Sequence, residues 1–297
     1  FRNSLMGLLL SLSLACNKTD DPVSIGEIMP EGLDHSPNIL LIIADDMGVD
    51  ATPGYGLGTI QPHMPNLMQL QASGITYDNV WSAPMCAPTR ASIITGKYGI
   101  NSRVLNTSNA GTLPETETTI QAYLDQQLGN LYANALIGKW HLSNNETNRP
   151  NEMGIGHFAG LIPGTITNYN QWELTINGQT STNEEYITTK LTDLAIEWVN
   201  GQEKPWFCWL AYTAPHSPFH LPPAEMHSQG NLVDDPASVE VNPRPYYMAM
   251  IESIDYEIGR LLSKIPTAER ENTVVIFVGD NGCLLYTSDA ADDLVGV

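Results

Sequence analysis

Asn38-Ile39-Leu40-Leu41-Ile42-Ile43-Ala44 is a continuous apolar run, rich in isoleucine, that ends abruptly at Asp45-Asp46-Met47-Gly48. Seven such residues without polar alternation read as a strand buried on both faces, the kind found in parallel sheets covered by helices. The pattern recurs down the chain. Residues 132–137 form a second apolar run entering Gly138-Lys139-Trp140-His141, and residues 206–212 a third entering Ala214-Pro215-His216-Ser217-Pro218. Residues 273–278 form a fourth that stops at Gly279-Asp280-Asn281-Gly282. Between these runs the spacing turns helical. Residues 65–73 read as a helix stopped by Gly74, and 118–128 as an amphipathic helix ending at Gly129. Residues 184–200 carry Ile187, Leu191, Leu194 and Trp198 as a core-facing stripe, and 245–265 carry Tyr247, Ile251, Ile254, Ile258 and Leu261. Residues 75–81 read as a further strand. Residues 143–183, rich in Asn, Thr and Gly with a hairpin-like 173–180, read as an insertion or lid. Strands alternating with helices predict an α/β fold, a mostly parallel sheet with helices on both faces.

In such a sheet, ligands bind outside the carboxyl ends of the strands. Four buried runs each deliver polar residues there: Asp45 and Asp46, Lys139 and His141, His216, and Asp280 with Asn281. These groups are expected to converge. A fifth contribution comes from Pro84-Met85-Cys86-Ala87-Pro88-Thr89-Arg90, which leads into Ala91-Ser92-Ile93-Ile94-Thr95-Gly96. Pro88 suits a first helical turn and Gly96 a helix stop. Cys86 therefore sits near a helix N-terminus with Arg90 one turn away, a place that favours anions and is expected to lower a thiol pKa.

Composition narrows the chemistry. The chain has 297 residues, 42% hydrophobic and 15% charged, enough for one large α/β domain or most of a two-domain enzyme. A formal charge of −20 argues against nucleic acid or an anionic membrane surface as partner. Four cysteines (Cys16, Cys86, Cys208 and Cys283) do not make a disulfide scaffold at this length, and the expected disulfide count is zero. Asp45, Asp46, Asp280 and Asn281 offer oxygen ligands only, which select Ca²⁺ or Mg²⁺ over zinc. His141 and His216 are available to zinc, but neither has helical spacing to a partner ligand. Arg90, Lys139, His141 and His216 beside such a cation suit a tetrahedral oxyanion, a sulfate or phosphate ester, with a histidine able to protonate a leaving alkoxide.

At this point the chain resembles the type I sulfatases, the branch of the alkaline phosphatase superfamily whose nucleophile is made from a cysteine. The Cys-x-Pro-Ser/Thr-Arg signature matches Cys86-Ala87-Pro88-Thr89-Arg90, followed by Thr95-Gly96. Asp45-Asp46, Gly138-Lys139-Trp140-His141, Pro215-His216-Ser217-Pro218 and Asp280-Asn281-Gly282 match further hallmarks in family order, across residues 37–282. Thr89 replaces the commoner Ser, and Gly279 stands where many members have Ser. The resemblance implies that a maturase oxidises Cys86 to formylglycine, whose hydrate attacks sulfur and later expels sulfate. It implies that Asp45, Asp46, Asp280, Asn281 and the residue at 86 hold Ca²⁺, with Mg²⁺ the alternative. Arg90 and His141 would orient the hydrate, Lys139 would bind a sulfate oxygen, and His216 would be the proton donor. The implied substrate is a sulfated small molecule or polysaccharide. Two other readings compete: a phosphonate or phosphodiester hydrolase of the same superfamily, and an inactive lipid-anchored glycan-binding protein.

The ends of the chain carry their own expectations. Residues 1–16 read as an export signal: Arg2 precedes the apolar stretch 5–14, and Ser13-Leu14-Ala15-Cys16 resembles a lipoprotein processing site. Residues 17–36 read as a flexible acidic tether, 37–282 as the catalytic domain, and 283–297 as a non-native tail. The expected location is the periplasm or cell surface, with the membrane met only through a lipid anchor at Cys16. The family's C-terminal subdomain is expected to be missing.

Overall fold

A computed structural model of the protein describes residues 36–107 and 111–283, so the expectations for the export signal, the tether up to residue 35 and the tail after 283 lie outside the described residues. Seven strands form one sheet: β1 (Asn38–Ala44), β2 (Ala133–Lys139), β3 (His157–Leu161), β4 (Trp172–Ile176), β5 (Gln179–Asn183), β6 (Trp206–Ala211) and β7 (Thr273–Gly279). The principal helices are α1 (Pro65–Ser73), α2 (Cys86–Thr95), α3 (Ile120–Leu128), α4 (Ile187–Asn200) and α5 (Pro243–Lys264). The strand order is β5-β4-β3-β2-β6-β1-β7. β3, β2, β6, β1 and β7 run parallel, and β4 and β5 are antiparallel additions at one edge. Among the described residues, no helix is long and apolar enough to cross a membrane.

The unbroken apolar runs are explained by two cores, one on each face. Leu40, Ile42 and Ala44 of β1 pack into a core with α1, α4 and α5, whereas Leu41 and Ile43 pack into a second with α2 and the flank of α3. β6 divides in the same way: Trp206, Cys208 and Leu210 enter the first core, Phe207, Trp209 and Ala211 the second. Successive side chains of a strand point to opposite faces, so a strand covered on both must be apolar throughout. Gly138 is required where β2 passes β6, because its φ is +117° and a Cβ there would lie 1.9 Å from the Ala211 carbonyl oxygen.

Three expectations need correction. Residues 75–81 form no strand; they join no ladder among the described residues, and Ile75, Tyr77, Val80 and Trp81 are exposed. Their composition favours extended chain, but a strand exists only where a ladder partner accepts it. Residues 143–183 are not a lid. They build β3, β4 and β5 and widen the sheet, although the hairpin turn at Asn177-Gly178 is real, with φ of +44° and +84°. On α4 the buried stripe is Ile187, Leu191, Ala195 and Val199, one position on from the expected Leu194 and Trp198, which are partly buried at its margin. Cys283, the one described residue of the tail, is buried in the first core.

Candidate active site

β2, β6, β1 and β7 are consecutive in the sheet and parallel, so their carboxyl ends line one edge. Ala44 pairs with Gly279, which sets Asp45-Asp46 beside Asp280-Asn281. The Asp45 N–H donates to the Ala214 carbonyl at 3.0 Å and the Asp280 N–H to the Ala44 carbonyl at 3.2 Å, so the chain ends stay in register past the ladder. Asp46 adopts φ +66° and His141 φ +56°, two non-glycine residues in the left-handed region, which Asp and His enter more readily than most. The turn at Asp46 lets its N–H donate to Asp280 Oδ1 at 2.9 Å.

Three carboxylates meet here. Asp45, Asp46 and Asp280 each place an oxygen within 4.8 Å of the others, and Asp45, Cys86 and His216 meet the same limit. Lys139 Nζ bonds to Asp45 Oδ2. Arg90 Nη2 lies 3.2 Å from Asp45 and 3.1 Å from Asp280, and its Nη1 donates to the Lys139 carbonyl at 2.9 Å. Asn281 Nδ2 donates to Asp46 Oδ1 at 2.6 Å, and His216 Nε2 is 3.6 Å from Asp46 Oδ2. Burial raises the Asp45 carboxyl, but Lys139 and Arg90 outweigh it and hold the group below the usual carboxylate range. Asp280 is pushed up to about 8 by burial and by the Asp45 charge, against Arg90. Asp46 is raised by burial and Asp45. Two permanent cations thus face three buried acids.

This donor set fits a hard divalent cation. All its ligand atoms are oxygens, the carboxylates outnumber the basic partners, and Asn281 Oδ1 is buried with no hydrogen-bond partner. The candidate cation site is therefore Asp45, Asp46, Asp280 and Asn281, with position 86 alongside.

Cys86 opens α2, and Gly96 closes that helix in the left-handed conformation at φ +66°. Cys86 and Arg90 are one turn apart and share a face. The thiol lies 3.8 Å from Asp46 Oδ1 and is 6% exposed. Its pKa is raised, not lowered: burial comes first, and the carboxylates of Asp45, Asp280 and Asp46 oppose a thiolate, with Lys139 pulling the other way. The helix-terminus expectation fails because burial, joined by the three neighbouring carboxylates, outweighs a partial dipole charge. His141 is pushed down to about 3 by burial and by Lys139 and Arg90, so it is neutral; its Nδ1 is buried without a partner.

Asp45, Asp46, Cys86, Arg90, Lys139, His216, Asp280 and Asn281 are thus joined in one cluster. His141 is related to it only by charge interactions with Lys139, Arg90, Asp45 and His216, and no hydrogen bond among the described residues ties its side chain to them. Three supporting residues were not anticipated. Tyr247 of α5 accepts the Gly48 N–H and donates to the Asp46 carbonyl, both at 3.1 Å. Gly164 lies against the His141 ring, where a Cβ would fall 2.0 Å from Nε2. Tyr169 reaches the backbone around His216. In the sequence Tyr247 belongs to the apolar stripe of α5, yet a buried tyrosine hydroxyl needs a partner and so points to one.

The arrangement gathers three carboxylates, two permanent cations and a histidine into a candidate cation site at the carboxyl edge of an alkaline-phosphatase-like α/β sheet. The sulfatase family model matches residues 37–293, and the chain belongs to the sulfatase family. It is 26% identical to N-acetylgalactosamine-6-sulfatase of Canis lupus familiaris, over 86% of this chain and 52% of that protein. It is 27% identical to the uncharacterized sulfatase YdeN of Escherichia coli (strain K12), over 84% of this chain and 52% of the other. The crystal structure of Ps i-CgsB in complex with k-i-k-neocarrahexaose superposes with a TM-score of 0.70 at 25% identity, covering 84% of this chain and 60% of that one. The chain spans about half the length of the curated relatives it matches.

Proposed function

We propose that this protein hydrolyses sulfate esters of a carbohydrate, using formylglycine made from Cys86 and a Ca²⁺ ion, with Mg²⁺ the alternative cation. The observation that carries the reading is the convergence of four consecutive strand ends and the head of α2 on one oxygen-lined, cation-ready cluster. The formylglycine hydrate supplies the attacking hydroxyl, and the cation supplies charge to sharpen it and to offset the sulfate oxygens. The remaining work falls to the chain's own residues. Asp45, Asp46, Asp280 and Asn281 hold the cation. Lys139, at the end of β2, binds a sulfate oxygen. Arg90 braces Asp45, Asp280 and the Lys139 carbonyl from the same helix face as position 86, and with His141 orients the hydrate.

His216 is the proton donor to the leaving alcohol. Its Nδ1 lies 2.6 Å from the Ser217 carbonyl, so the Nδ1 proton is engaged and Nε2 is the nitrogen that exchanges. Nε2 faces Asp46, on the cluster side. A sulfated saccharide is the substrate class, by analogy with these relatives: Ps i-CgsB is seen with k-i-k-neocarrahexaose, and the canine relative is named N-acetylgalactosamine-6-sulfatase. Export and lipid anchoring at Cys16 belong to the same proposal, supported by the apolar stretch 5–14 and the Ser13-Leu14-Ala15-Cys16 sequence.

The test is expression with the maturase, followed by mass spectrometry of the peptide containing position 86 and assay of sulfate release. The expected results are a formylglycine mass, sulfate release that exceeds cleavage of the matching phosphodiester, and no activity in Cys86→Ala. An unmodified Cys86 in a competent host, or a preference for the phosphodiester, overturns the reading.

A further inference from the structure

We propose that Tyr169 is a positioning residue for His216, acting through the backbone that carries the imidazole; this rests on the reading of His216 as proton donor. Tyr169 stands in the connection between β3 and β4, a stretch whose polar sequence gave no sign of a role at the site. It is 2% exposed. Its hydroxyl lies 2.5 Å from the His216 carbonyl and 3.1 Å from the Thr213 carbonyl, so one phenolic proton serves both ends of the turn that presents His216. That turn has few other ties: the His216 N–H donates back to Thr213 at 3.0 Å, and the Ala214 carbonyl accepts the Asp45 N–H. Asp45 and Tyr169 thus both hold the turn, one from the cation cluster and one from the β3–β4 connection.

Tyr169 is itself held. Its ring lies on His220 with centroids 4.0 Å apart, and His220 Nε2 is 3.1 Å from the Tyr186 hydroxyl. The Tyr169 carbonyl accepts the first helical N–H of α4, from Ile187, at 2.9 Å. The same connection places Gly164 against the His141 ring. One loop therefore seats both histidines of the site, Gly164 by leaving room and Tyr169 by a hydrogen bond.

The consequence for the reaction is specific. As the S–O bond breaks, its electron pair remains on the alcohol oxygen and the proton on His216 Nε2 passes to that oxygen. An alkoxide leaving group needs that proton, whereas a nitrophenolate departs without it. Misplacing the donor by about an ångström can cost about 100-fold. Loss of the hydroxyl is therefore expected to be felt in proportion to the basicity of the leaving group, and in kcat far more than in KM.

The experiment is Tyr169→Phe in the complete, matured protein, assayed with an alkyl or sugar sulfate and with 4-nitrophenyl sulfate. Phe keeps the ring on His220, so the melting temperature should fall by no more than ~5 °C. The expected result is a kcat lower by about 10- to 100-fold on the sugar sulfate, with KM little changed and near-normal turnover of 4-nitrophenyl sulfate. In a His216→Ala background, Y169F should add nothing further on the sugar sulfate. If Y169F does not fold, Tyr169→His, which retains an aromatic ring with a donor, is measured on the same two substrates. Equal loss on both substrates, no loss on either, or additivity with His216→Ala overturns the role of Tyr169. A wild-type protein that carries formylglycine yet cleaves neither substrate removes the reaction, and the proposal with it.

Discussion

At the scale of single residues, the site depends on side chains that hold backbone as much as on those that meet substrate. Tyr247 is the clearest case. It is fully buried in α5, and its hydroxyl closes the Asp46–Gly48 turn by donating to one main-chain group and accepting another. Asp46 sits in that turn in a left-handed conformation that must be held from outside. Tyr247→Phe preserves the ring and its edge-on contact with Phe219 but leaves both groups without that partner. A buried polar group so deprived costs about 1–3 kcal/mol. The expected outcome is a loss of stability of about that size in denaturant titration, with a weaker affinity for divalent cation measured by calorimetry. Unchanged cation affinity would confine Tyr247 to the core.

At the scale of elements, His220 shows how a packed connection turns into a pH response. Burial pushes its pKa down to about 4 from the ordinary 6.5, against the pull of the Pro218 carbonyl and Asp234. The unfolded chain therefore takes up a proton below 6.5 that the folded chain refuses until about 4. Stability contributed by the neutral ring is present above 6.5 and is lost as pH falls through that window, by at most about 3 to 4 kcal/mol. His220→Phe keeps a ring against Tyr169 and Tyr186 and removes the titration. Its stability, followed by denaturant melts across the same window, is expected to fall less steeply than that of the wild type. Identical slopes would contradict the assignment.

The limits of sequence reading also lie at this scale. β1, β2 and β6 with their polar ends were legible because a strand covered on both faces must be apolar throughout and must stop where charge is tolerated; β7 carries the same apolar run although Val274 and Ile276 on one of its faces are exposed. α2 was legible from Pro88 and Gly96, which are local signals. Residues 75–81 and β3 were misjudged because strand pairing is decided by distant partners, whereas the β4–β5 hairpin was legible from its local turn and only its joining of the main sheet was not. The Cys86 thiol was misjudged for a related reason: its burial, and its neighbours Asp45, Asp46 and Asp280, are supplied by segments far away in sequence. Tyr169 was invisible because its hydroxyl serves carbonyls 44 and 47 residues away.

At the scale of the whole molecule, the proposed cation joins the two halves of the sheet's last ladder. Asp45 and Asp46 follow β1, whereas Asp280 and Asn281 follow β7. Among the described residues β7 pairs with β1 alone, from Asn38 with Thr273 to Ala44 with Gly279, and stands last in the strand order. It is also the least covered of the parallel strands, with Val274 and Ile276 exposed. An edge strand held by one ladder opens more readily than those inside the sheet. A cation bound by both pairs of ligands ties the carboxyl ends of β1 and β7 together and offsets repulsion among three buried acids that Arg90 and Lys139 do not balance. At a free concentration of about 100 times its Kd, a ligand that binds only the folded state stabilises it by about 2.7 kcal/mol. Addition of Ca²⁺ is therefore expected to raise the melting temperature, chelation to lower it, and Asp280→Asn to blunt the response. The gain should be uneven. Amide exchange across residues 273–279 should slow more on Ca²⁺ addition than exchange in β5, at the opposite edge of the sheet. Slowing that is uniform across both edges would mean that the ion does not clamp β7 to β1, and cation-independent melting would remove the ion from this cluster altogether.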